Sequence, residues 1–376
     1  MRYYIISGEA SGDLHGSNLV RALQQKDPGA TFRAWGGEAL LEAGAEVVKH
    51  YEDLAFMGFW EVLANLKTIF HHLKFCKQDI LTYQPDALIL IDYPGFNLRI
   101  AKWAHRQGIR VIYYISPQVW AWKANRVREM KKTIDQMLVI LPFERAYYAE
   151  KWNWEVTFVG HPLLDVVEQA LRQPDSLPFS SPLLTSKKIV ALLPGSRKQE
   201  ILKKLPEMLK VSRSFQDYQF IVAQAPGIDP AFYENLLKEY PEVNAIRGQT
   251  YPLLKRAAAA LVTSGTATLE TALFGVPQIV CYKGNPISYQ IARRILTIRY
   301  ISLVNLILDK PVVQELIQEN LTAQNLTRAL EPLLHDEAAV AKLKTEYQHL
   351  PVLLRGKGNA SEQAAYNIMN LLRSNK

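Results

Sequence analysis

The sequence predicts an α/β protein built as two tandem, doubly wound domains, with ligands held at the carboxyl ends of their parallel strands. Three observations carry this. Short apolar, β-prone runs alternate with helical patterns along most of the chain, and such alternation means a parallel sheet covered by helices on both faces. The alternation breaks over residues 165–186, where Pro174, Pro178 and Pro182 fall among serines and leucines, and then resumes. The chain has 376 residues, 48% hydrophobic and 21% charged, enough for two domains with real cores.

Each element has its own signal. Arg2–Ser7 reads as the first strand, GEASGD as a tight loop, and Leu19 and Leu23 as one face of the helix that follows. Further strands are expected at Ala87–Ile91, Arg110–Ile115, Gln136–Leu141 and Val156–Val159, with a helix at about Asn97–Gln107. The second series places strands at Lys188–Leu193, Gln219–Ala223, Asn244–Arg247, Ala258–Thr263 and Gln278–Tyr282, and the region after Val312 reads as mostly helical. The expected division is a Rossmann-like domain over 1–170, a second over 187–357, and a terminal helix over 358–376 crossing back to the first. Doubly wound domains in tandem place ligands in the cleft between the carboxyl ends of their strands.

Bulk properties narrow the function. A formal charge of +8, from 44 basic and 36 acidic residues, suits an anionic partner: nucleic acid, a phosphorylated substrate or an anionic lipid surface. The two cysteines, Cys76 and Cys281, lie far apart with no CxxC or histidine pairing, so neither a disulfide framework nor a zinc site is expected. The amino terminus, MRYYIISGEASGD, lacks the apolar core of a signal peptide, and no stretch approaches the ~18–20 uninterrupted apolar residues of a membrane span. A reducing cytoplasm fits, with any membrane contact peripheral.

Two motifs in the second half suit a diphosphate. In LLPGSRKQEI a strand stops at Pro194; Gly195 lets backbone approach a ligand, Ser196 adds a hydroxyl, and Arg197 a guanidinium suited to phosphate oxygens. A helix then starts, its free amides aimed at the same spot. In VTSGTATLETALFGVP, Ser264, Gly265 and Thr266 open another helix, and Glu270 one turn on can accept hydroxyl hydrogen bonds, as from a ribose. Each motif alone is also an ordinary strand-to-helix turn; both in one domain carry more weight. Neither is a Walker A or GxGxxG pattern, so neither ATP hydrolysis nor dinucleotide binding is supported.

The first half offers acceptor-side candidates. Ser11, Gly12 and Asp13 lie in the SGEASGD loop, which can press closely on a sugar or phosphate. Asp92, in IDYPGFN, stands at the carboxyl end of the ALILI strand, where a carboxylate can act as general base or simply cap the next turn. SPQVWAW supplies Gln118, Trp120 and Trp122, with Lys123, Arg126, Arg128, Lys131 and Lys132 close behind. From Phe59 to Leu73 the large apolar residues Phe59, Leu63, Leu66, Phe70 and Leu73 recur at helical spacing, with Trp60 beside them and Lys67, Lys74 and Lys77 adding charge: a basic amphipathic segment suited to a bilayer interface, or a helix packed on its own sheet.

Taken in order, SGEASGD, Met57-Gly58 before VLAN, the aspartate after the ALILI strand, SPQVWAW, VGHPL, LPGSR and SGTATLE resemble the lipid-A-disaccharide synthase family over nearly the whole chain. The resemblance implies a GT-B fold and an inverting transfer from UDP-2,3-diacylglucosamine to 2,3-diacylglucosamine 1-phosphate, giving a β-1,6 disaccharide phosphate and UDP at the cytoplasmic face of the inner membrane. It implies Asp92 as the base, Arg197, Ser264–Thr266 and Glu270 in the UDP region, and Asn305, Gln314 and Glu315 as donor-side residues. YPGFN departs from members that carry an acidic residue there. No cofactor, metal or nucleic acid is implied, and the sequence leaves monomer or homodimer open. Two alternatives stand beside this reading: a UDP-N-acetylglucosamine epimerase-like enzyme on the same fold, and a non-catalytic lipid- or nucleic-acid-binding protein.

Overall fold

The computed structural model describes residues 1–54, 66–173, 186–285, 289–290 and 298–374. The chain forms two compact units, one of Met1–Pro162 with Leu354–Lys376, the other of Leu163–Leu353.

The first unit is built on seven parallel strands: β1 (Arg2–Ser7), β2 (Thr31–Gly36), β3 (Glu46–His50), β4 (Ala87–Ile91), β5 (Val111–Tyr114), β6 (Gln136–Val139) and β7 (Thr157–Phe158). Their order is β3-β2-β1-β4-β5-β6-β7. The central strands are near-continuous apolar runs because helices cover both faces. Tyr4 and Ile6 enter a core with Leu73, Cys76 and Ile80 of helix Leu66–Tyr83 and Ile100 of helix Pro94–Arg106. Tyr3 points the opposite way, its hydroxyl 3.0 Å from the sulfur of Met369 in the terminal helix Ala360–Arg373. That helix packs along helix Ala10–Lys26. Where the chain re-enters this unit, the backbones of Gly160 and Gly356 cross: a Cβ on Gly160 would lie 2.8 Å from the Gly356 nitrogen, leaving no room for a side chain.

The second unit carries six parallel strands: β8 (Lys188–Leu193), β9 (Tyr218–Gln224), β10 (Asn244–Arg247), β11 (Ala257–Thr263), β12 (Gln278–Tyr282) and β13 (Gln314–Ile317), ordered β10-β9-β8-β11-β12-β13. Separate cores fill its two faces, one around Leu205, Met208 and Phe220, the other around Leu253, Ala260 and Val262.

Four expectations need correction. GEASGD is not a free loop, because helix Ala10–Lys26 begins inside it. The 165–186 linker starts later, since PLLDVVEQALR is amphipathic and forms helix Pro162–Arg172; Pro174, Pro178 and Pro182 lie outside the described residues. Strands β2 and β3 went unread, β3 being a half-exposed edge with little apolar signal. Gln314–Ile317, read as helical, is an edge strand whose register runs beside β12 from Ile279↔Gln314 to Tyr282↔Ile317.

Two buried histidines give this fold a measurable pH dependence. His15 and His161 are 7% and 4% exposed, and burial depresses their pKa values to about 4 and about 3, with His15 adding to the shift of His161. The unfolded chain binds protons near 6.5 that the folded chain refuses, so this stability is full above about pH 6.5 and drains as pH falls toward 4. Glu144, buried and raised to about 7, works oppositely across the same window. The difference between wild type and His15→Gln isolates the imidazole: between pH 7 and 5 wild type should lose about 2 kcal/mol more than the variant. Parallel curves in a denaturant titration would refute the assignment.

Candidate active site

In an open parallel sheet, the crevice forms where the strand order reverses, because neighbouring loops there turn to opposite faces. Each unit has one such point. In the first it lies between β1 and β4, paired up to Ser7↔Ile91; in the second between β8 and β11, paired up to Leu193↔Val262. SGEASGD, IDYPGFN, LPGSR and SGTATLE leave from these four strand ends, whereas SPQVWAW follows β5.

In the second unit, β8 ends at Leu193 and the chain turns through Pro194, Gly195, Ser196 and Arg197 into helix Lys198–Ser212. Gly195 has φ +121, a conformation that strains any residue with a side chain, and its missing Cβ leaves room for a Glu200 carboxylate oxygen. Ser196 and Arg197 are exposed, and Arg197 lies 3.4 Å from Glu200, which holds the guanidinium beside the turn. On the adjacent strand, β11 ends at Thr263 and Gly265 caps helix Thr266–Leu273. Two helix amino ends thus flank one strand pair, each with amides that have no intrahelical acceptor.

One candidate residue is not legible in the sequence. Lys204 is 3% exposed, and its ammonium donates to the Thr263 hydroxyl and lies 3.8 Å from Glu200. A Cβ on Gly195 would be 3.6 Å from that nitrogen, so the charge sits directly beneath the turn. Burial lowers the Lys204 pKa and Glu200 works against that shift. The available signal was a lysine inside the buried stripe Ile201, Leu205 and Met208.

In the first unit, Asp92 follows β4 with φ +44, and Tyr93 follows with φ +48. Two successive left-handed, non-glycine residues cost about 1–2 kcal/mol each and persist only where surrounding structure holds them. Here the Asp92 carbonyl accepts from Asn97 Nδ2 at 2.8 Å and Tyr113 OH at 2.5 Å, and its amide donates to Tyr114 O at 3.1 Å. Asn97 is itself fully buried. The Tyr93 ring lies where a Gly8 side chain would be, 2.3 Å from its Cβ position, which explains the glycine in SGEASGD. Helix Pro94–Arg106 therefore starts three residues earlier than expected, with proline in its first turn. Asp92 presents exposed surface, although protein crowds its carboxylate. Crowding, then the charge of Glu9, push its pKa up to about 7.

Several candidates have other duties. Asp13 is buried, and its carboxylate accepts from the amides of Gly37, Ala39 and Leu40 at 2.7, 3.0 and 3.2 Å, so it anchors the loop after β2. Gly12 packs on Ser7, while Ser11 is exposed. Trp120 is 9% exposed, donates to Glu144 at 3.2 Å and packs edge-on to Phe143; the accessible ring of SPQVWAW is Trp122, at 45% exposure, with the Lys123 ammonium 4.2 Å from its centre. Gln118 is exposed.

The donor-side candidates also divide. Asn305 uses its whole amide, donating to Val313 O and Glu315 and accepting from the Val312 and Val313 amides. Glu315 accepts from the Ile301 and Ser302 amides. The pair shapes the turn into β13; the Asn305 amide is fully used there, whereas half-buried Glu315 keeps acceptor capacity on Oε2, which takes one bond, from the Ile301 amide. Ser264 donates its hydroxyl to Ile301 O at 2.9 Å. Gly265, Thr266 and Gln314 are exposed. Half-buried Glu270 accepts from Tyr251 at 2.8 Å through one oxygen, keeping the other for a hydroxyl; burial raises its pKa.

Phe59, Trp60 and Leu63 lie outside the described residues, as does the side chain of Leu66. Helix Leu66–Tyr83 turns Leu73 into the core and leaves Phe70 67% exposed, with Phe75 and Leu81 at 41% and 50%, so the expected stripe divides between core and solvent. Among the described residues, no helix is long and apolar enough to cross a membrane.

The architecture is shared with solved structures of low sequence identity. A UDP-GlcNAc 2-epimerase from Neisseria meningitidis, bound to UDP-GlcNAc, superposes with a TM-score of 0.70 at 13% identity, over 98% of this chain and 100% of that one. The glycotransferase of kitacinnamycin gives 0.65 at 16% identity, over 99% of both. Fold and site thus define the class as GT-B, the frame used by glycosyltransferases and by sugar-nucleotide epimerases. Sequence decides within it. Lipid-A-disaccharide synthases of Syntrophus aciditrophicus and Trichlorobacter lovleyi are 40% and 38% identical to this chain, over 98% and 99% of its length and 97% of theirs. The chain belongs to the lipid-A-disaccharide synthetase family, whose model matches residues 3–369, and it is a glycosyltransferase.

Proposed function

We propose that the protein transfers 2,3-diacylglucosamine from its UDP donor to 2,3-diacylglucosamine 1-phosphate with inversion, without a metal. The observation that carries this, beside the family, is the strained, crowded carboxylate of Asp92 at the β1/β4 switch point. A carboxylate with a raised pKa is a stronger base than an ordinary one and suits removal of a hydroxyl proton near neutral pH. The acceptor 6-hydroxyl attacks the donor anomeric carbon as the bond to the UDP oxygen breaks. Its proton goes to Asp92, and the bonding pair leaves with UDP. The carbon passes through an oxocarbenium-like state, as in glycoside hydrolysis. Negative charge grows on the diphosphate, where Arg197, Lys204 and two helix amino ends offset it.

Purified protein with both substrates, detergent and a chelator should release UDP only when acceptor is present, with a disaccharide 1-phosphate in the mass spectrum and a β-anomeric proton by NMR. UDP-N-acetylglucosamine epimerised in place of this product would favour the epimerase reading.

The reading includes peripheral attachment at the cytoplasmic face of the inner membrane. Phe59→Ser with Trp60→Ser should cut partition onto anionic vesicles severalfold at unchanged melting temperature. Wild-type protein that stays in solution beside such vesicles would end the idea.

A further inference from the structure

The first unit holds a cavity of about 640 Å³ that the chemistry above does not use. It opens beside the base: Tyr93, Pro94 and Gly95, the three residues after Asp92, form part of its wall. Its lining has two characters. Ile69, Phe96, Leu98 and Met130 are apolar, and Phe96 and Met130 belong to the buried core. Arg99, Lys102 and Arg126 bring three cations against a single carboxylate, Glu129. That carboxylate is already matched, lying 2.5 Å from Lys102. Arg99 and Arg126 have no ion pair among the described residues, and Arg126 leans toward the exposed face of Trp122, 5.8 Å from its ring centre.

Two unmatched guanidiniums over an apolar floor fit neither a neutral sugar nor a plain hydrocarbon. Guanidinium forks match the oxygens of a phosphate, and the floor gains by covering methylenes. We propose that this cavity is the subsite for a phosphomonoester carried on an acylated molecule, with Arg99 and Arg126 on the phosphate and the half-buried Ile69 and Leu98 under the acyl chain. The assignment rests on the transferase reading in one respect, that the acceptor is such a molecule. Its consequence is specificity: the cavity selects an acceptor bearing a phosphate and fixes it next to Asp92, so the doubly substituted protein loses acceptor affinity but not donor affinity.

The first test needs no turnover. Calorimetry below the micelle threshold would compare octyl phosphate, butyl phosphate, octyl glucoside and inorganic phosphate on wild type and on the Arg99→Gln/Arg126→Gln protein. Wild type should bind octyl phosphate about 10- to 100-fold tighter than octyl glucoside or inorganic phosphate, and tighter than butyl phosphate. The variant should bind octyl phosphate and octyl glucoside alike, while its UDP affinity, which reports on folding, stays that of wild type. Inorganic phosphate binding as tightly as octyl phosphate would mean an anion site without an acyl floor and would overturn the proposal. A preference for octyl phosphate that survives in the variant would overturn it too. With both substrates, the variant should raise the KM for the phosphorylated acceptor at least tenfold, leave the donor KM unchanged, and no longer distinguish acceptors with and without the 1-phosphate. If wild type shows no transfer at all, the function proposed above fails, and the octyl phosphate comparison still decides the cavity.

Discussion

Replacing Asp92 by alanine should lower kcat roughly 100- to 10,000-fold, the usual worth of a positioned general base. The protein should remain folded, because most of the hydrogen bonds that hold this turn run through the Asp92 carbonyl and amide, and the carboxylate adds only a bond from the Tyr93 amide. The strained backbone supplies a second readout. Asp92 has φ +44, a region glycine enters at no steric cost, so Asp92→Gly should be inactive and more stable than wild type by about 1 kcal/mol. Loss of activity with gain of stability marks a residue kept for function. A third readout is pH. The base works deprotonated, so kcat/KM should fall on the acid side with an apparent pKa well above the ordinary carboxylate range, near the value of about 7 that crowding and Glu9 impose. Glu9→Gln removes the second of those causes and should move the limb to lower pH. Folded Asp92→Ala protein with near-normal turnover would remove Asp92 from the chemistry.

Lys204→Met should lower kcat/KM about 100- to 1,000-fold, the range seen when one charge-stabilising donor is lost, and should weaken UDP binding. Arg197 is exposed and already shares its charge with Glu200 in water, whereas Lys204 is buried beneath Gly195 and acts through a lower dielectric. Removing the buried charge should therefore cost more than Arg197→Ala. Methionine preserves the volume and extends the Ile201, Leu205 and Met208 stripe, and it exchanges a buried ammonium for an apolar group, so the variant should be at least as stable as wild type. An unchanged UDP dissociation constant in Lys204→Met would show that the ammonium only ties the helix to Thr263.

How much of this was legible beforehand differs by residue. β4 was read to the residue because ALILI is an unbroken apolar run between turn signals, and β1, β8, β10 and β12 likewise. β2, β3 and β13 were not. The outer two, β3 and β13, expose one flank and contain charges, so period and composition say little. Asp92, Gly195 and Arg197 stand out in the sequence because each lies within the short turn after a strand whose end was clear. Lys204 was passed over because a lysine among leucines and a second lysine looks like the polar edge of a helix until the strand it packs against is known. Asn305 and Glu315 entered through family resemblance, and the structure adds that both hydrogen-bond within the turn into β13, a role that a sequence motif does not show.

The amino-acid sequence by itself determined the class of fold and the order of its elements, since apolar period and strand-ending glycines and prolines are local properties that each segment carries with it. It also determined the family, because seven motifs in one order over the whole length constrain more than any single site. What only the tertiary structure decided is which strands are neighbours. The LPGSR and SGTATLE loops, some seventy residues apart, become adjacent because β8 pairs with β11 at the point where strand order reverses, and SGEASGD meets Asp92 because β1 pairs with β4. Burial follows from that pairing. It is burial, which no stretch of sequence contains, that raises Asp92, lowers Lys204, and gives Asp13, Trp120 and Asn305 hydrogen-bond partners within the protein.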